Sequence, residues 1–166
     1  MKRSTKSRLT SFFAVATLSI AAASSAMAEY RLTAFGNTLG YRSLITADVE
    51  TVESTFSGIS LSGLNHFEAN NLCVAQIIMR EFEAAIESCE SALLKVGKSY
   101  STRPMAISSA TASIYSNMAV AKAMNGDASS AVRDIETASS FISSDKNVIL
   151  NYEQIAPATN LTAAVN

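Results

Sequence analysis

With 166 residues, the chain is long enough for one domain with a core of its own. Its 13 basic and 14 acidic residues lean acidic once the basic start is set aside, which excludes a basic nucleic-acid surface. Apolar residues make up 48%, many of them Ala, with six Gly and no Trp, and this favours close-packed helices over strands.

Lys2, Arg3, Lys6 and Arg8 form a positive head, residues 9–23 an apolar run, and Ala26-Met27-Ala28 a small-x-small site. This order predicts a secretory signal over 1–28, cleaved after Ala28. The run falls short of the roughly 20 residues of a membrane span, and no Cys follows the cut to take a lipid. An uncleaved anchor is the alternative. The mature chain, 29–166, keeps nine basic against 14 acidic residues, a net charge of −5. It is expected to be periplasmic or secreted, with no stable membrane insertion after cleavage and no nucleic-acid partner. Its densest basic group, Lys95, Lys98 and Arg103, falls in an expected loop.

Residues 29–63 form an N-terminal segment, of which 29–36 reads as an extended tail or a strand. A short helix at 38–46 and an amphipathic one at 48–56 follow, either a degenerate repeat unit or an unrelated pair. Residues 57–63 are a turn-rich link.

Between 64 and 143 the chain repeats itself at an offset of 46 residues. Asn71-Leu72-Cys73-Val74-Ala75 lies over Asn117-Met118-Ala119-Val120-Ala121, and Arg80-Glu81 over Gly126-Asp127. Ala85-Ile86 lies over Ala131-Val132, Cys89 over Ile135 and Ala92 over Ala138. One register kept over this span implies a duplicated unit. Each unit reads as two helices, with apolar residues three and four apart. The first unit turns near Arg80-Glu81. The second turns at Asn125-Gly126-Asp127, where Gly stops one helix and Asp starts the next. Ala85, Ala92, Ala131 and Ala138 predict a tight helix crossing. The Gly-, Ser- and Pro-rich stretch 97–106 reads as the joining loop. In the C-terminal region 144–166, residues 147–155 are spaced for a capping helix and 156–166 for a frayed tail.

Cys73 and Cys89 stand at nearly equal distances from the Arg80-Glu81 turn, on opposite arms of the hairpin, so their sulfurs should face each other. In an exported protein that predicts a disulfide. Two buried thiols filling small core slots are the alternative. No nucleophile elbow, phosphate loop, zinc signature or dinucleotide fingerprint is present. His66 reads as an ordinary first-turn residue, and Glu81, Glu83, Glu87 and Glu90 as a solvated helix face. No cofactor, metal site or enzymatic activity is expected.

The repeat resembles the tetratricopeptide repeat (TPR) family. Leu72, Ala85 and Ala92 fit its pattern in the first unit, and Tyr115, Ala119, Gly126, Asp127, Ala131 and Ala138 in the second. Cys73 stands where the family prefers Gly and Cys89 where it prefers an aromatic. Gln76 and Lys122 replace another aromatic, and the closing Pro is missing from both units. The family repeats every ~34 residues, so about 12 are inserted, assigned to 97–106. The resemblance implies an all-α array of two to two and a half helical hairpins, closed by a C-terminal capping helix. It implies a concave groove lined by Phe67, Asn70, Asn71, Val74 and Ile78 from the first unit. Ser113, Ser116, Asn117, Val120 and Met124 would line it from the second. Asn71 and Asn117 occupy a slot where the family often uses Asn to hold a ligand backbone or carboxylate. Phe67, Asn70, Ser113 and Ser116 stand where Lys or Arg would grip an acidic C-terminus, so an apolar protein or peptide segment is the expected partner. The functional expectation is an exported, non-catalytic adaptor. The alternatives are a self-associating structural envelope protein, hence a homo-oligomer, and a small enzyme or ligand carrier with a pocket near the N-terminal segment.

Overall fold

A computed structural model describes residues 15–19, 29–99 and 104–163. Two strands come first, β1 (Val15–Ser19) and β2 (Arg31–Phe35), then two short helices, α1 (Tyr41–Thr46) and α2 (Val49–Phe56). A 3-10 turn at Leu61–Gly63 leads to α3 (His66–Ile78), α4 (Phe82–Ser99), α5 (Pro104–Met124), α6 (Ala128–Phe141) and α7 (Lys146–Ala163). The described chain is therefore all-α apart from one antiparallel ribbon, in which Thr17 sits opposite Thr33. Of the signal expected over 1–28, only Val15–Ser19 lies among the described residues.

Side-chain caps set the helix starts. Asn65 accepts the N–H groups of Phe67 and Glu68, and the Glu68 carboxylate accepts the Asn65 N–H, forming a capping box for α3. Asp48 and Asp127 cap α2 and α6, and hydrogen bonds from Thr51 and Ser130 hold their carboxyls below the usual Asp range. α3 and α5 end alike. Glu81 N–H reaches the Gln76 carbonyl at 2.8 Å and Arg80 N–H that of Ile77 at 3.0 Å. At the repeat offset, Asp127 N–H reaches Lys122 at 2.9 Å and Gly126 N–H reaches Ala123 at 3.2 Å. Both are Schellman closures around a left-handed residue, Arg80 at φ 65° and Gly126 at φ 88°. A left-handed non-glycine costs roughly 1–2 kcal/mol, and glycine's freer unfolded chain offsets about half of that. Arg80→Gly is expected to stabilise by about 0.5 kcal/mol, read as a higher urea midpoint at unchanged slope.

The helices are longer than the repeat pattern suggests. Residues 97–99 end α4 and 104–106 begin α5, so these parts of the expected 97–106 loop are helical; 100–103 lie outside the described residues. Lys95 and Lys98 accordingly lie on α4, not in a loop, and Lys95 Nζ donates to the Leu61 and Leu64 carbonyls at 2.7 and 2.8 Å. α7 likewise continues past the expected 147–155 helix, so residues 156–163 of the expected tail are helical, while 164–166 lie outside the described residues.

Successive helices pack on each other, α3 on α4, α4 on α5, α5 on α6 and α6 on α7. This leaves α3, α5 and α7 in one layer and α4 and α6 in the other. Ala85, Ala92, Ala131 and Ala138 are fully buried, as a close helix approach requires. α5 is buried nearly all round, because α4, α6, α7 and β2 surround it. The Cys73–Cys89 disulfide is present and ties α3 to α4, with 5.4 Å between the Cα atoms. Gln76 and Lys122 each meet a polar partner on the helix that follows their own. Ser88 Oγ donates to Gln76 Oε1 at 2.6 Å, and at the repeat offset Lys122 Nζ pairs with Asp134 at 2.6 Å. α1 and α2 pack on each other in front of α3. Gly40, at φ 71°, closes their approach, since a Cβ there would sit 2.0 Å from Phe56 Cζ.

Candidate functional site

The layer of α3, α5 and α7 carries β2 across its face. One asparagine from each helix holds one residue of the strand by both main-chain groups. Asn71 Oδ1 accepts the Phe35 N–H at 2.8 Å, and its Nδ2 donates to the Phe35 carbonyl at 3.0 Å. Asn117 does the same for Thr33, at 2.9 Å in both directions. Asn151 does the same for Arg31, at 2.7 Å in both directions. A strand turns every second residue to the same side, so the three amides meet sites spaced about 7 Å apart.

Further polar side chains fix the ladder. Asn70 Nδ2 adds a second donor to the Thr33 carbonyl, and Asn70 Oδ1 accepts from Asn117, both at 2.9 Å. Asn151 donates to Ser116 Oγ at 2.9 Å, and Asn147 donates to Thr33 Oγ1 at 3.0 Å. Asn71 also reaches Thr38 Oγ1 and the Leu39 carbonyl, which carries the chain from β2 towards α1. Leu32, Asn70, Asn71, Asn117 and Asn151 are all fully buried. Burying so many amides is tolerable only because nearly every donor and acceptor is used.

The residues expected to line a groove thus form one face, and the chain's own β2 lies on it. Asn70, Asn71 and Asn117 bond to strand or neighbour, and Ser116 orients Asn151. Val74, Val120, Ser113 and Ile78 are buried. Phe67 is half-buried with its ring 4.8 Å from that of Phe35, and Met124 packs at the edge of the core. Sequence reasoning missed Asn151 and Asn147. The former was within reach: Asn151 follows Asn117 by 34 residues, the repeat length of the resembled family. α7 therefore shares a layer with α3 and α5 and presents its asparagine to the same strand.

The outer edge of β2 faces the other way. Arg31, Thr33 and Phe35 spend their main-chain groups on the helices, so Leu32 and Ala34 turn theirs to β1, opposite Leu18 and Ala16. Arg31 also pairs with Glu29 at 3.3 Å, and burial raises the Tyr30 hydroxyl above its ordinary range.

An open cavity of about 470 Å³ lies nearby, lined by Asn37, Thr38, Gly40, Tyr41, Arg42, Ser43, Thr51 and Thr55. Arg42 is the one charged side chain among the described lining residues, beside the hydroxyls of Thr38, Tyr41, Ser43, Thr51 and Thr55. Among the described residues no three His, Cys, Asp or Glu side chains converge on a metal position, and no helix is long and apolar enough to cross a membrane.

His66 is buried beside Phe67, with ring centroids 4.0 Å apart, and burial pushes its pKa below the ordinary value. The unfolded chain then takes up this proton first as the pH falls. Stability is full above about pH 6.5 and declines below it, by at most about 1.4 kcal/mol per pH unit. Urea midpoints at about pH 7.5 and 5.5 should differ in this direction, and His66→Gln should remove the difference.

No family model, no curated protein and no solved structure matches this chain.

Proposed function

We propose that the protein is an exported, non-catalytic adaptor of TPR-like build that holds a segment of a partner protein. The reading puts β2, mounted on α3, α5 and α7, at the centre of the binding surface. One observation carries it: the asparagine ladder saturates the inner edge of the strand and leaves its outer edge to pair with a further strand, a place that β1 takes in this structure. A strand held this way is pre-organised, and an open strand edge is a ready template for another chain. The Cys73–Cys89 disulfide and the leader-like first 28 residues support an oxidising compartment, periplasmic or extracellular. The groove residues Val74 and Val120 are covered, so contact with a partner falls to the ends and outer edge of β2.

Photo-crosslinking in the native cell tests this. The reactive group goes at Tyr30 and Asn37, on either side of β2, with a control at exposed Glu87 on α4. The expected result is one discrete heterologous adduct from the β2 positions and none from Glu87. Adducts only to a second copy would replace the adaptor with the self-associating envelope protein. Absence of any adduct would count against both.

A further inference from the structure

We infer that the outer edge of β2 is a strand-addition site for a short, uncharged, extended segment of an exported partner. The leader strand β1 fills that site in cis until the chain is cut after Ala28. This rests on the adaptor reading above and names the chemistry of its site.

The occupant is visible. Val15–Ser19, Val-Ala-Thr-Leu-Ser, lies antiparallel to β2 with Ala16 opposite Ala34 and Leu18 opposite Leu32. Alternation assigns the roles. The N–H and C=O groups of Arg31, Thr33 and Phe35 are held by Asn151, Asn117 and Asn71, so an incoming strand can bond only to Leu32 and Ala34. Those two residues supply two donors and two acceptors, which defines a contact about five residues long. With β1 in place, Leu32, Thr33, Ala34 and Phe35 are all buried. A charged side chain laid along that edge would lose water without gaining a partner, so the site selects uncharged segments such as the one it holds. Backbone bonds supply the affinity and the side-chain pattern the selectivity, as in other strand-addition sites.

The leader occupies the edge because it is tethered. Only residues 20–30 join the two strands, so closure is intramolecular, with an effective concentration in the millimolar range for a short linker. Cutting after Ala28 severs the tether. A five-residue strand with few bonds then departs, and Leu32 and Ala34 stand open for a segment from another chain.

The test uses the cleaved protein purified from the exported fraction, its N-terminus read by mass spectrometry. The probe is a capped peptide of residues 13–21. The peptide is expected to bind with micromolar affinity and to slow amide exchange at Leu32 and Ala34, leaving Thr33, already held by Asn117, unchanged. N-methylation of the peptide at Ala16 or Leu18 should weaken binding about tenfold or more, because each removes one bond to the edge. N-methylation at Thr17 should leave binding as it is. Ala34→Pro removes a donor from the outer edge alone and should weaken the unmodified peptide to a similar extent. Because the methylated peptides use the native protein, the result does not depend on how that variant folds. The proposal is overturned if the peptide does not bind, if methylation at Thr17 and Ala16 has equal effects, or if the exported chain still carries residues 15–19. Heterologous crosslinks from Tyr30 or Asn37 that persist alongside any of these results would keep the adaptor and remove strand addition. Peptide binding as expected without any crosslink would remove the adaptor and keep the site.

Discussion

Asn117→Ala is expected to lower the unfolding free energy by about 4 kcal/mol, the largest effect of any single substitution considered. The side chain holds both main-chain groups of Thr33 and donates to Asn70 Oδ1, and all of these atoms lie in the interior. Removing it strands a buried N–H and an amide oxygen and weakens a carbonyl that keeps only the Asn70 bond. Each stranded group costs on the order of 1–3 kcal/mol, with a cavity term besides. Asn125→Ala, on the exposed turn after α5, should change stability by less than about 0.5 kcal/mol. Asn117→Asp separates shape from chemistry. It fits the same space but sets a carboxylate against the Thr33 carbonyl, so its pKa rises in the folded state and its cost grows as the pH climbs above about 4. Urea unfolding of the three variants checks the ladder. Equal midpoints for Asn117→Ala and Asn125→Ala would remove it as a source of stability.

The second large effect comes from the Cys73–Cys89 bridge. It closes a loop at a sequence separation of 16 and joins the two arms of the first hairpin. A loop of that size restricts the unfolded chain by about 3 kcal/mol. Reduction should therefore lower the melting temperature by roughly 10 °C for a domain of this size. Cys73→Ala with Cys89→Ala should melt lower still, since two fully buried sulfurs are lost as well, and should not respond to reductant. An unchanged melt after thiol titration proves full reduction would mean the bridge leaves the unfolded ensemble unconstrained.

Much of the helical frame was written in the sequence because it rests on local chemistry. The offset of 46 residues aligned Arg80 with Gly126, and both occupy the left-handed position of the same helix closure. The same register put four alanines at the helix crossing, and the turn at Arg80-Glu81 set Cys73 against Cys89. Periodicity of three and four residues, Gly after a helix and Asp before one are all readable within a short window. The helix lengths were less legible. Gly97, Ser99 and Pro104 read as loop residues, yet Gly97 and Ser99 end α4 and Pro104 opens α5, a first-turn position where proline's missing N–H costs nothing.

The strand belongs to the other class. Nothing in residues 31–35 separates a tail from a strand, because its partners stand 36, 84 and 120 residues further along the chain. The asparagines are equally mute taken singly: an Asn on a helix is by itself a solvated residue, and only the stacking of α3, α5 and α7 brings three of them to one line. The sequence by itself determined where most helices lie, their turns, the repeat register and the cysteine pair, since each shows in spacings read directly along the chain. Only the tertiary structure decided that the face lined by Asn70, Asn71 and Asn117 holds a strand of the same chain. A buried main chain must bond to whatever polar groups the assembled helices present, and that set exists only once the layers have packed.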